Sequence, residues 1–203
     1  MKKVVFITVL AILIIIIFFI LNPFQKESLK GIQVNKPVVD FELITLDNKT
    51  FKLSDYKGKV IALTFVYSHC PDVCPVLASR FSSAAKSLME KGYENFLMIL
   101  ISVDFLGDDY NSVKNFLDKY VDREVINRGK LIYLLGKDLN TLNYIWKSYG
   151  IYVATSANNT SIVIHSVAVH LIDKNFKWRS SFGTLLQWST SDLIHDMEIL
   201  LKE

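Results

Sequence analysis

The chain has 203 residues, is 51% hydrophobic and carries a formal net charge of +3 at pH 7. All 20 acidic residues and all but Lys2 and Lys3 of the 23 basic ones lie beyond residue 21, so that part is close to neutral. It has no basic field to hold a nucleic acid, and the sequence has no internal repeat or low-complexity segment.

The chain opens MKK and continues VVFITVLAILIIIIFFIL, residues 4–21, apolar apart from Thr8. Eighteen residues rising 1.5 Å each reach about 27 Å, close to the hydrocarbon thickness of a bilayer. The run is longer than the core of a cleavable signal, and NPFQKES after it offers no small-residue cleavage site. Residues 1–21 are therefore expected to form an uncleaved N-terminal transmembrane helix. Lys2 and Lys3 put the N-terminus in the cytoplasm and everything after residue 22 outside. An Arg-rich amphipathic presequence is absent, so a prokaryotic plasma membrane is the expected location. Residues 22–36 read as a tether and residues 37–203 as one globular domain.

Within that domain, VVDFELITL and KTFKLSDY flank Asp47-Asn48 and predict a hairpin. KVIALTFVY (residues 59–67) and FLMILISV (96–103) are β-rich apolar runs suited to strands covered on both faces. Between them, Val76, Leu77, Phe81, Ala84, Ala85, Leu88 and Met89 recur at helical spacing, and Gly92 ends that helix. DDYNSVKNFLDKYV predicts a helix, LIYLL a strand, and DLNTLNYIWKSYG a helix from Asp138 to Gly150. ANNTS is a polar loop. SVAVHLI (166–172) and KWRSSF (177–182) predict a second hairpin, and a last helix covers about 190–202. Strands alternating with helices, with hairpins at both ends, predict an α/β fold whose central sheet lies between helices, the thioredoxin-like layout.

Both cysteines fall in TFVYSHCPDVCPVL, residues 64–77, where a buried strand ends and a helix begins. Cys70 belongs to the loop or first turn, and Cys74 follows one turn on, on the same helix face. Pro71 suits the first helical turn, and the positive helix end favours thiolate over thiol. A purely structural disulfide closing so short a loop would remove little chain entropy. Two chemistries fit better: a redox dithiol, or a pair of soft ligands for Cu(I) with a histidine as third donor. Zinc would normally ask for four ligands, and a third cysteine is missing. The C-x-x-x-C spacing, and the lack of any proline after residue 75, weaken the ordinary thioredoxin reading.

YSHCPDVCP, with VVDFELITLDNKTFKLSDYKGKV before it and ISVD and IHSVAVHLIDKNFKW after it, resembles the Sco/SenC family. These are membrane-anchored copper chaperones that help assemble the dinuclear copper centre of cytochrome c oxidase. The resemblance implies a thioredoxin-like fold, copper as Cu(I) or Cu(II), and Cys70, Cys74 and His165 as its ligands. It also implies a copper-accepting subunit of a terminal oxidase as partner. His165 would open the strand that runs past the helix start, and copper loading would require the dithiol form. The chain departs from the family pattern at Ile164, where an Asp usually precedes the ligand His, and at Phe105, where a Pro usually follows the Asp of ISVD.

Two other functions compete. A thiol:disulfide oxidoreductase would use Cys70 and Cys74 to reduce the oxidase's copper-site cysteines, itself recharged by a thiol reductant. A peroxidase would need its own Arg or Thr environment, for which Arg80 is the nearby candidate. Asp72 reads as a helix-start charge or cap that also shapes docking, and Asp104 as either a support for the metal site or a cap of the next segment. His69 reads as an exposed loop residue and His195 as a surface residue. If one strand ran from His165 to His170, their odd separation would put the two side chains on opposite faces. Met89, Met98 and Met197, and Trp146, Trp178 and Trp188, read as packing residues. Asn48-Lys49-Thr50, Asn158-Asn159-Thr160 and Asn159-Thr160-Ser161 fit the glycosylation pattern.

Overall fold

The computed structural model describes residues 2–21, 27–156 and 159–203, with some side chains in 2–21 and 155–162, and that of Leu186, outside the description. Part of the expected tether (22–26) and Asn158 of the glycosylation triplets lie outside the described residues. Helix α1 (Lys2–Leu21) has 20 residues, and Phe6, Ile7, Leu10, Ile12 and Leu13 on it are exposed. Its described side chains form interrupted stretches; among the described residues no helix is long and apolar enough to cross a membrane.

The rest folds around a mixed sheet of eight strands. Their order is β1 (Ile32–Pro37), β10 (Lys177–Phe182), β9 (Val169–Ile172), β4 (Val60–Val66), β5 (Phe96–Ser102), β6 (Leu131–Leu135), β2 (Glu42–Thr45) and β3 (Thr50–Lys52). β4, β5 and β6 run parallel, and the other pairings in this sheet are antiparallel. β4 and β5 are buried at every residue, as continuous apolar runs require. The hairpin turn between β2 and β3 carries Asn48 at φ 59°, the left-handed conformation that Asn tolerates.

Helix α2 (Val73–Glu90) buries Cys74, Leu77, Ala78, Phe81, Ala84, Ala85 and Leu88. It packs beside α6 (Thr190–Lys202) and α3 (Tyr110–Tyr120) on one side of the sheet. Over the other side, Tyr149 follows α5 (Leu139–Ser148), its ring meeting Phe41, Phe65, His170 and Trp178. Asp109, Asp138 and Ser189 each cap a following helix through the side chain. Trp146, Trp188, Met89, Met98 and Met197 are all buried, as packing residues should be.

The structure departs from the sequence reading in four places. Residues 32–36 belong to edge strand β1; just before it, the buried carboxylate of Asp196 accepts the N–H groups of Lys30 (2.7 Å) and Gly31 (2.9 Å). A short helix, α4 (Arg123–Asn127), was not expected because five residues carry no readable period. Most of the expected polar loop joins a separate two-stranded sheet, β7 (Val153–Ser156) with β8 (Asn159–His165). His165 consequently ends β8 instead of opening β9, which starts at Val169, and the face-parity argument linking it to His170 lapses.

Candidate metal centre

β4 ends at Val66, and the chain turns through Tyr67–Cys70, where the Cys70 N–H reaches the Tyr67 carbonyl at 3.3 Å. Asp72 occupies the cap position of α2, but its exposed side chain makes no capping hydrogen bond, so the capping alternative fails and the helix-start charge stands. A sulfur takes that place: the Cys74 N–H points at Cys70 Sγ, 3.5 Å away. Together with the N–H groups of Asp72 and Val73, this gives Cys70 the unpaired donors of a helix start. The Cys70 thiol is pulled down to about 5, most strongly by the neighbouring Cys74 side chain and then by these backbone donors, against the opposing effect of burial. Cys74, buried, is pushed up by the Cys70 sulfur and by desolvation. The pair thus divides into a half-buried thiolate and a buried thiol, both free of any disulfide.

His165 arrives from the other direction. Its Nε2 lies 3.6 Å from Cys74 Sγ, across 91 residues of sequence, and its ring stands edge-on to Tyr67 at 5.8 Å. The partner of Nδ1 is the Ser166 carbonyl oxygen at 3.0 Å, which can only accept. Nδ1 therefore carries the proton and leaves an Nε2 lone pair facing the sulfur. Burial holds the imidazole below its ordinary range, so it stays neutral, the form a metal ligand needs. Two sulfurs and one imidazole, in a half-enclosed corner, are a donor set for a soft, low-coordinate ion. Val153 pairs with His165 across the small sheet, so β7 sets where the ring stands.

The other candidates separate cleanly. His69 is exposed. His170 is buried in the core, its Nδ1 2.9 Å from Ser181 Oγ and its ring against Phe65, Tyr149 and Trp178; it joins no ligand set. His195 lies on α6 with Nε2 3.3 Å from the Ser28 carbonyl. Arg80 donates to the carbonyls of Leu185 and Trp188 and stacks on the Trp188 ring, an engagement away from the cysteines that removes the support for peroxidase chemistry.

Asp104 caps its own turn, its Oδ1 accepting the Gly107 N–H at 2.8 Å. Four residues on, Asp108 does what the sequence reading missed. Its Oδ1 accepts from Ser68 N–H (2.8 Å) and Ser68 Oγ (2.6 Å), and its Oδ2 from Ser102 Oγ (2.6 Å) and Tyr133 OH (2.5 Å). His69, Asp104 and Asp108 bring potential ligand atoms within 4.8 Å of one another. Four donors already fill the Asp108 lone pairs, so that trio ties loops together and makes a poor cation site. An acidic DFLGDD turn at the end of a buried strand was the available signal, but its partners lie up to 40 residues away.

Comparison with known proteins bears on the family and the fold. A sequence model of the SCO1/SenC family matches residues 30–202. Protein SCO2, mitochondrial, of Saccharomyces cerevisiae is 27% identical over 147 residues, covering 70% of this chain and 46% of that protein. The chain thus spans about half the length of that relative. The crystal structure of a SCO1/SenC family lipoprotein from Bacillus anthracis superposes with a TM-score of 0.73 at 25% identity, over 85% of this chain and 99% of that one. The structure of Arabidopsis thaliana ScoI with copper bound shares the fold, with a TM-score of 0.68 at 23% identity over 81% of this chain and 98% of that one. With its C-x-x-x-C turn, its thioredoxin-like mixed sheet and a match running through almost all of the folded domain, this chain belongs to the SCO1/SenC family.

Proposed function

We propose that this protein is a membrane-anchored copper chaperone: it binds one copper ion, its cargo, through Cys70, Cys74 and His165 and passes it to the dinuclear copper centre of a terminal oxidase. The observation that carries the reading is the 3.6 Å approach of His165 Nε2 to Cys74 Sγ. A dithiol working by sulfur exchange can use such an imidazole only as a base for its buried thiol, whereas a copper site needs the lone pair itself as a ligand. Family membership and the copper-bound Arabidopsis relative support the same choice of metal.

Each residue then has a distinct task. Cys70, a thiolate at neutral pH on the half-buried side, meets the incoming ion first. Cys74 gives up its proton as it closes on the metal, and His165 donates without any proton change at Nε2. Transfer onward requires ligands weak enough to release, which a three-donor site with one histidine on a separate small sheet provides. Exposed Ile164 and half-exposed Phe105 give the handover surface a more apolar character than the family pattern would. The 20-residue α1 is the anchor, with the domain on the outer face of a prokaryotic plasma membrane.

The second reading, a reductase for the acceptor's copper-site cysteines, is favoured by the unequal thiols, one ready to attack and one buried to resolve. His165→Ala in the reduced full chain separates the two. Chaperone function predicts that copper affinity and oxidase assembly fall together. Retained assembly alongside lost copper binding would instead assign the role to sulfur exchange.

A further inference from the structure

Asp108 spends a desolvated carboxylate on four hydrogen bonds to three different parts of the fold: the cysteine turn at Ser68, the end of β5 at Ser102 and the middle of β6 at Tyr133. Burial pushes its pKa above the ordinary carboxylate range, and the hydrogen bonds from Ser102, Ser68 and Tyr133 each oppose that rise. The turn that delivers it is fixed as well. Asp104 Oδ1 accepts the Gly107 N–H and the Asp104 carbonyl accepts the Asp108 N–H at 3.1 Å. A side chain at Gly107 would meet Asp104 Oδ2 at 2.2 Å.

So costly an arrangement has a target. Ser68 is bonded at both its N–H and its hydroxyl, and it stands two residues before Cys70 in a turn closed by the Cys70 N–H on the Tyr67 carbonyl. Fixing Ser68 fixes the path of the backbone that sets Cys70 Sγ over the first N–H groups of α2. With its lone pairs filled, the carboxylate is no ligand; its effect passes through the turn.

We propose that Asp108 is the positioning residue of the thiol pair: through Ser68 it holds Cys70 Sγ at the start of α2, in place to share an ion with Cys74 and His165. The inference rests on the copper-binding reading for its metal readout, and on the sulfur geometry alone for its second one.

Asn and Ala at this position distinguish positioning from charge. In Asp108→Asn the amide oxygen still accepts from Ser68, and the amide N–H groups donate to Ser102 and Tyr133, whose hydroxyls can rotate to accept. Asp108→Ala leaves the Ser68 N–H and three hydroxyls without their acceptor.

The experiment titrates reduced full-length protein in detergent with Cu(I), records the copper–thiolate absorption, and measures the alkylation rate of Cys70 as a function of pH. Asp108→Ala is expected to weaken copper binding by about 10- to 100-fold, to alter the absorption band, and to shift the alkylation profile of Cys70 to higher pH. Asp108→Asn recovers most of each. Ser68→Ala, losing one of the four bonds, falls between and serves if Asp108→Ala does not fold. Wild-type affinity, spectrum and alkylation profile in Asp108→Ala, or in Ser68→Ala where it stands in, overturn the proposal. So does an Asp108→Asn as damaged as Asp108→Ala. A wild-type chain that binds no copper refutes the chaperone reading instead, and the alkylation profiles still decide the role of Asp108.

Discussion

The two halves of the donor set are held in opposite ways. Cys70 and Cys74 grow out of the most buried strand and the most buried helix, and their turn is tied from below by Asp108. His165 ends a two-stranded sheet that, among the described residues, pairs only within itself. One side is woven into the core by contacts from several elements, and the other meets it through the His165 ring and the apolar side chains of Val153 and Val163. A bound ion would join the firm side to the loose one. On the proposed copper reading the sulfurs would dominate affinity, while the imidazole would adjust how readily the ion leaves.

The largest test of this asymmetry compares ligand substitutions. Cys74→Ser should reduce Cu(I) affinity on the order of 1,000-fold, about 4 kcal/mol, and His165→Ala on the order of 100-fold, about 3 kcal/mol. Competition with a chelator of known affinity measures both, and an equal or greater loss in His165→Ala would reverse the comparison.

The second test probes the firm side through its other histidine. Burial pushes His170 down to about 3, whereas an unfolded histidine titrates near 6.5. Within that window the unfolded chain takes up a proton that the folded chain refuses. The contribution is complete above the unfolded value and is lost as pH falls toward the folded one, at about 1.4 kcal/mol for each pH unit. Denaturant titrations across the acid range should show this slope in the wild type and a flatter one in His170→Phe. Equal slopes would mean that this region opens far more easily than its packing implies.

Gly107→Ala tests the turn beside the cysteines. The new methyl group collides with Asp104 Oδ2, so the turn must shift at a cost of about 1–3 kcal/mol. Thermal unfolding should register the loss, and copper affinity should fall with it because Asp108 moves. The smallest effect belongs to the hairpin's outer face, where Ile164 is exposed: Ile164→Thr should change stability by less than about 0.5 kcal/mol. A larger change would show that Ile164 packs against the chain's own surface instead of standing free of it.

Legibility in the sequence followed the same division. β4, β5 and α2 announce themselves by long apolar runs and helical spacing, and the cysteines lie at their junction, so the sulfur half of the site could be read directly. β1 could not, because an edge strand reading IQVNKP looks like linker: its side chains are almost all exposed, and pairing with β10 is what makes it a strand. β7 and β8 were missed because four- and seven-residue strands in a sheet of their own lack the covered, continuous pattern. His165 was placed by family resemblance at a strand's beginning and stands at a strand's end, yet it reaches the sulfur all the same. Asp108 was missed because the acidic DFLGDD turn does not say which of its carboxylates gathers four donors from residues 68, 102 and 133.

The clasp on Lys30 and Gly31 bears on where this chemistry can take place. With those two amides gripped by Asp196, only residues 22–29 separate α1 from the folded body, a leash of at most about 28 Å when fully drawn out. If α1 is embedded, the domain patrols a thin shell just above the lipid, and a membrane-bound recipient meets it as a resident neighbour at high local concentration. Lengthening that leash should dilute the encounter while leaving the copper site untouched.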